Sequence, residues 1–248
     1  MLPYFEHTTI LIGPLTVYLW GLFIACGIAA MLLVSRREAP RYRVSFDTIA
    51  DLSVWVLIAA FVGARLSHVF LYDPGFYFAH PVEILKLWNG GMSSLGGMVF
   101  GTATAIIFVW RRRLDVRAVG DVLFRTMPIA WAIGRFGCYV THMHPGMLTT
   151  RAFGVAYPDG GRWDLGLLES AVWIVIGCVV WLLPRSTRSG FYLVLVPLLY
   201  APARFALDFL RVDDTRYAGL TPAQYGMILL FVMVVAIGLK WKIFRRKI

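Results

Sequence analysis

The chain is poor in charge. Of its 248 residues 15% are Asp, Glu, Lys or Arg, 59% are hydrophobic, and the mean hydropathy is +0.69. That balance excludes an ordinary water-soluble domain and makes lipid the natural solvent. Cysteine is scarce as well. Cys26, Cys138 and Cys178 are widely spaced and form no CxxC pair, which excludes a disulfide framework and a thiolate metal site. Cys26 and Cys178 lie in apolar runs and read as packing residues. Residues 1–14 contain no Lys or Arg, so no cleaved signal peptide is expected and the first apolar run reads as a retained span. No repeat of fixed period is visible, which argues against a transporter built from paired halves.

What is present is a series of long apolar runs. A bilayer core needs about 20 apolar residues per helix. Seven stretches qualify, some with polar interruptions: 15–35, 47–72, 93–110, 119–139, 165–184, 190–210 and 221–240. The expectation is an all-α, polytopic membrane protein with about seven transmembrane helices, a single domain over 1–248, and outer loops at 73–92, 140–164 and 211–220. The net charge of +10 does not point to nucleic acid, because the basic residues fall in short clusters between apolar runs. Counted on alternate sides, 15 Lys and Arg lie on one face, in clusters such as Arg36–Arg43, Arg111–Arg117, Arg185, Arg188, Arg245, Arg246 and Lys247, against 5 on the other. That bias puts the N-terminus outside and the C-terminus in the cytoplasm.

A charge at the bilayer centre costs about 2.5–3.5 kcal/mol on insertion scales, so each intramembrane charge invites a functional reading. Arg65 and His68 share a face at the outer end of the second helix. Arg135 precedes a polar stretch containing His142 and His144. Tyr200, Arg204, Asp208 and Arg211 draw a polar stripe down an apolar helix. A buried Arg204–Asp208 pair that fixes packing accounts for that stripe alone. Two guanidiniums gripping a phosphate, with Asp208 orienting one of them, account for Arg135 as well. His142 and His144 read as interfacial polar residues, an adventitious metal pair or a general base, and no third ligand suggests a dedicated zinc site. Gly90, Gly91, Ser93, Gly96 and Gly97 read as a close-packing face or as a backbone surface that lets a lipid headgroup approach.

Several of these pieces, in order, resemble the prolipoprotein diacylglyceryl transferase family. They are Val17 to Gly21, Gly63-Ala64-Arg65, Trp88 to Ser93 with Gly96-Gly97, Gly134-Arg135-Phe136-Gly137, Leu167-Leu168-Glu169, the Tyr200–Arg211 stripe, and Leu220 to Gln224. Leu95 stands where the family usually has a histidine, Asp208 replaces a glutamate, Trp20 a tyrosine, and Cys138, Thr141 and Met143 replace polar residues of the central signature. The resemblance implies a multi-pass enzyme of the bacterial inner membrane. It would move a diacylglyceryl group from phosphatidylglycerol to the lipobox cysteine of a prelipoprotein signal peptide, with no metal or organic cofactor. Arg135 and Arg204 would bind the phosphate, with Glu169, Asp208 and Tyr200 in support and Arg65 and the Gly-rich segment at the substrate. His142 or His144 would take the thiol proton. Two other readings stay open: a related membrane enzyme with a different acceptor, and a non-catalytic phospholipid-binding or transport protein.

Overall fold

The structure, a computed structural model, describes residues 1–5, 7–13, 15–86, 90–183, 188–212 and 214–243. Trp88, Asn89, Arg185, Arg245, Arg246 and Lys247, which entered the motif and charge readings, lie outside the described residues. The principal helices are α1 (Leu19–Glu38), α2 (Phe46–Leu71), α3 (Pro74–Ala79), α4 (Ser94–Arg111), α5 (Val116–Val140), α6 (Leu165–Leu182), α7 (Phe191–Leu207) and α8 (Pro222–Lys240). Among the described residues, six helices are long and apolar enough to cross a membrane: those starting at Leu19, Phe46, Ser94, Leu165, Phe191 and Pro222. The remaining expected span, 119–139, forms as α5. It has 25 residues but carries Arg117, Asp121, Arg125 and Arg135, which sets it apart from the apolar six.

The chain packs as two compact units, Met1–Tyr42 with Gly120–Ile248, and Arg43–Val119. In the smaller unit α2 lies along α4, and small residues make the approach possible. A Cβ on Gly96 would collide with the Ser67 side chain and the Gly63 carbonyl, so this position takes no larger residue. Ser93 caps α4, accepting from the Gly96 amide at 3.3 Å. Gly96 and Gly97 therefore serve helix packing, the first of the two roles expected of them.

In the larger unit, polar groups gather at opposite ends of an apolar layer of Trp173, Ile176, Val180, Tyr192 and Val196. At one end, the end of α1 meets the start of α5. Arg125 is buried there, donating to Glu38 at 2.9 Å and to the Val180 carbonyl at 3.2 Å, under the rings of Trp181 and Tyr192. The Asp121 carboxylate receives the amides of Gly190 and Tyr192 at 2.7 Å and Leu193 at 3.1 Å, taking up donors that the first turn of α7 leaves unmatched. The other end collects the last turns of α5 and α7 and the first turns of α6 and α8. Arg125 and Arg135 are ten residues apart on α5, so the two ends are separated by roughly 15 Å of helix.

The expected outer loop 140–164 is not plain loop. It holds β3 (Pro145–Leu148), β4 (Val155–Tyr157) and β5 (Gly160–Asp164) in an antiparallel sheet of order β3-β5-β4. The N-terminus bridges to it through Leu2 and Val155. A second hairpin pairs β1 (Thr9–Ile12) with β2 (Leu15–Tyr18) before α1. The segment expected as loop 73–92 contains α3 and a 3-10 turn at Pro81–Leu85.

Replacing Asp121 by Ala strips three backbone amides, those of Gly190, Tyr192 and Leu193, of their acceptor. Stability is expected to fall by about 1–3 kcal/mol, read as a lowered midpoint of thermal unfolding in detergent micelles.

Candidate active site

Arg135, on the last turns of α5, reaches Glu169 in the first turns of α6, with Nε to Oε2 at 2.7 Å. Arg204, near the end of α7, approaches the other oxygen of the same carboxylate, Nε to Oε1 at 3.3 Å. Arg204 also pairs with Asp208, Nη1 to Oδ1 at 2.7 Å. The second oxygen of Asp208 accepts from the Thr221 hydroxyl. Thr221 caps α8 in a reciprocal capping box with Gln224, whose side-chain amide also donates to the Phe205 carbonyl at 3.2 Å. A continuous polar chain thus ties four helices together: Arg135, Glu169, Arg204, Asp208, Thr221.

The chain is electrically balanced but not chemically saturated. Arg135 Nε, Glu169 Oε2, Arg204 Nη1 and Asp208 Oδ1 stand at ion-pair distance without hydrogen-bond alignment. Among the described residues, both terminal nitrogens of Arg135 and Nη2 of Arg204 have no carboxylate or carbonyl partner. The Arg135 side chain is 21% exposed whereas Glu169 is 2% exposed, so the carboxylate is locked away and the guanidinium faces outward. Such an arrangement accepts an anion with forked geometry. Tyr200, one turn before Arg204, stacks on Trp173 with ring centroids 4.4 Å apart, and Trp173 lies one turn beyond Glu169.

The two loop histidines separate sharply. His142, at φ +47° just past α5, is buried. Its Nδ1 faces Asp164 Oδ2 at 2.9 Å, and its Nε2 accepts from the Phe5 amide at 3.4 Å. Those contacts fix the tautomer, with the proton on Nδ1, and leave no ring nitrogen for a substrate. Tyr157 donates to the same Asp164 oxygen at 2.8 Å, while Asp164 Oδ1 caps α6 through the Leu167 amide at 3.0 Å. Burial and this bond to Asp164 push the Tyr157 hydroxyl well above its usual range. His142 therefore pins the sheet and the N-terminal segment to the start of α6.

His144 makes no side-chain hydrogen bond among the described residues, and its carbonyl accepts from the Leu165 amide at 3.1 Å. The adjoining β3 is held against the end of α7 by a bridge between Gly146 and Arg211. Burial, with Arg135, Arg211 and Arg204 acting in the same direction against Asp164, pushes His144 down to about 4. It is a neutral imidazole at pH 7, beside the two guanidiniums.

Arg65 belongs to the smaller unit and is spent on backbone. Its guanidinium donates to the carbonyls of Ile84 at 2.9 Å, Glu83 and Gly90 at 2.5 Å, Gly91 at 2.9 Å and Lys86 at 3.3 Å. Gly91, at φ +73°, has no room for a side chain, because a Cβ would come within 2.7 Å of Arg65 Nη1. Arg65 thus shapes the Gly90–Gly91 turn. The structure brings together Arg135, Glu169, Arg204, Asp208, Tyr200 and His144 in one unit, and Arg65, Gly90, Gly91, Ser93, Gly96 and Gly97 in the other.

Residues 7–241 match the family model described as prolipoprotein diacylglyceryl transferase. The chain belongs to that family. Among curated relatives named phosphatidylglycerol–prolipoprotein diacylglyceryl transferase, one from Listeria innocua is 30% identical over 94% of this chain and 88% of its own length. One from Streptococcus agalactiae is 30% identical over 95% and 94%, and one from Staphylococcus saprophyticus is 29% identical over 95% and 89%. Leu95, where the resemblance leads one to expect a histidine, lies on α4 and is 62% exposed. Thr221 and Gln224, from the segment Leu220 to Gln224, and Asp164 and Tyr157, which no sequence motif marks, complete the site's support. The T-x-x-Q spacing of a capping box was a readable signal for the first two.

The lowered His144 has a consequence for stability against pH. Between about 4 and its ordinary value of 6.5, the unfolded chain binds a proton there that the folded chain does not. Stability therefore rises with pH through that window and is lost as pH falls through it. Thermal unfolding at pH 4.5 and 7 is expected to show a smaller pH difference in His144→Asn than in the natural chain.

Proposed function

We propose that the protein transfers a diacylglyceryl group from phosphatidylglycerol to the cysteine thiol of a prelipoprotein, with Arg135 and Arg204 as the phosphate grip and His144 as general base. The observation that carries this reading is the pair of guanidiniums that share the buried carboxylate of Glu169, with both terminal nitrogens of Arg135 and Nη2 of Arg204 left without a carboxylate or carbonyl partner among the described residues. The acceptor is the lipobox cysteine at the end of a signal peptide. The chemistry lies on the outer side of the bacterial inner membrane, with the N-terminus outside and the basic clusters facing the cytoplasm.

In the proposed step His144 takes the thiol proton, and the thiolate attacks the glyceryl carbon that carries the phosphate ester. The new C–S bond forms as that C–O bond breaks, and its electron pair leaves with glycerol phosphate. Negative charge grows on the departing phosphate, so guanidiniums already in place favour the transition state over the bound donor. Asp208 and Glu169 hold the arginines, and Tyr200 offers a hydroxyl one turn away. His142 is a positioning residue, since both its nitrogens are engaged with Asp164 and Phe5. In the smaller unit, Arg65 keeps the Gly90–Gly91 turn in shape.

Transfer of labelled diacylglycerol from phosphatidylglycerol to a lipobox peptide by the purified protein tests the reading. Arg135→Ala and Arg204→Ala are each expected to lower the rate about 100- to 1,000-fold, and His144→Ala about 100-fold or more. His142→Ala is expected to cost much less and to lower thermal stability instead. Full activity in the His142→Ala/His144→Ala double variant removes the base assignment, and no transfer by the natural chain removes the reaction.

A further inference from the structure

The polar end of the larger unit that carries Arg125 borders a groove of about 1310 Å³ between α1, α5 and α6. Its walls are Leu33, Ile129, Ile133, Ile174, Gly177 and Cys178, and the indole of Trp181 closes one side. The floor is shallow in side chains because Pro128 and Gly177 oppose each other there. A Cβ on Gly177 would meet the Pro128 ring at 3.5 Å. Leu33 and Ile174 are more than half exposed, so the groove is open along its length to whatever surrounds the helices.

One end of the groove is basic. Arg36 and Arg37 occupy the last turn of α1, are exposed, and have no carboxylate partner among the described residues. Arg41 also lines this end and pairs with Glu38, while Glu38 is held in turn by Arg125 at 2.9 Å. The acidic group at the rim is thus already claimed by two guanidiniums, and the rim stays cationic. An apolar trough at bilayer depth whose mouth carries two unpaired cations has the polarity of an anionic phospholipid, tail inside and headgroup at the arginines.

We infer that this groove is a binding site for an anionic phospholipid of the leaflet next to the arginine-rich face, with its phosphate at Arg36 and Arg37 and an acyl chain along Ile129, Ile174 and Cys178. The inference rests on reading α1, α5 and α6 as membrane-spanning helices and not on the transfer reaction. The Arg135 and Arg204 pair stands at the opposite end of the same unit, so the two anion sites do not share residues. The far end of the groove reaches Trp173, the ring on which Tyr200 stacks. Lipid occupancy therefore bears on a wall of the candidate active site.

Cys178 supplies a local reporter, being exposed in the groove while Cys138 is buried. In a Cys26→Ser background, alkylation of Cys178 by N-ethylmaleimide is followed in mixed micelles of phosphatidylglycerol or of phosphatidylcholine with the same chains. Phosphatidylglycerol is expected to slow alkylation at least fivefold more than phosphatidylcholine. Arg36→Gln/Arg37→Gln abolishes that difference, whereas Arg111→Gln/Arg113→Gln, removing two arginines elsewhere, leaves it intact. Equal protection by both lipids, or equal loss in both double variants, overturns the proposal, since either shows that no headgroup is recognised at this rim. Diacylglyceryl transfer, measured in parallel, keeps the fate of this site separate from that of the reaction.

Discussion

The Glu169 carboxylate is the constraint on which the candidate site depends. It is buried at 2% exposure, and each of its oxygens faces the Nε of a different arginine. Two guanidiniums brought together without it would repel, and a lone buried carboxylate would be costly, so neither half of the arrangement is stable alone. Because Arg135 comes from α5, Glu169 from α6 and Arg204 from α7, this one group fixes the mutual placement of three helix ends. Asp208 extends the same logic to α8, since its other oxygen is bound by the hydroxyl that caps that helix. The capping box thereby does two tasks at once, ending α8 and steadying the acid that steadies Arg204.

A buried arginine is not by itself a sign of function, and Arg125 and Arg65 show why. Arg125 sends its nitrogens to Glu38 and to the Val180 carbonyl and stacks beneath two aromatic rings. Arg65 meets five backbone carbonyls. Both are consumed by the protein. Arg135 instead uses Nε on Glu169 and leaves its forked end unengaged among the described residues, with the side chain partly exposed. Intramembrane cost treats all three alike, and only the direction of the remaining N–H groups separates scaffold from site.

The long elements were legible because an apolar run of span length has few alternatives, and helices formed at every expected span. The pairing of Arg204 with Asp208 followed from their spacing on one helix. The sheet in 140–164 was not legible. Its strands are three to five residues long, and in Gly160–Asp164 glycine and mixed polarity hide any alternation. Nor was the division of labour between His142 and His144. An H-x-H pair states that two imidazoles are near, but their roles depend on Asp164, Tyr157 and the Phe5 amide, which are distant in sequence from one or both. Arg65 posed the same difficulty, because its carbonyl partners are backbone atoms and leave no trace in residue identity.

The electrostatics of His144 order the proposed reaction. Burial, and after it Arg135, Arg211 and Arg204, leave the imidazole holding a proton weakly, at about 4, which makes it a poor match for a thiol near 8.5. A phosphodiester gripped by Arg135 and Arg204 brings a negative charge into the same low-dielectric space and offsets part of that cationic field. The part of the shift that the arginines cause is then relieved while the part due to burial stays, and the proton affinity of His144 rises, which makes it a better base near neutral pH. Donor binding and base activation become one event on this reading. The thiol is deprotonated only when the lipid it must attack is already in place, and a cysteine arriving first meets an imidazole too weak to activate it. Burial weakens the base first and the guanidiniums weaken it further, and those guanidiniums are the ones the leaving phosphate requires, so one charge arrangement contributes to both restraint and catalysis.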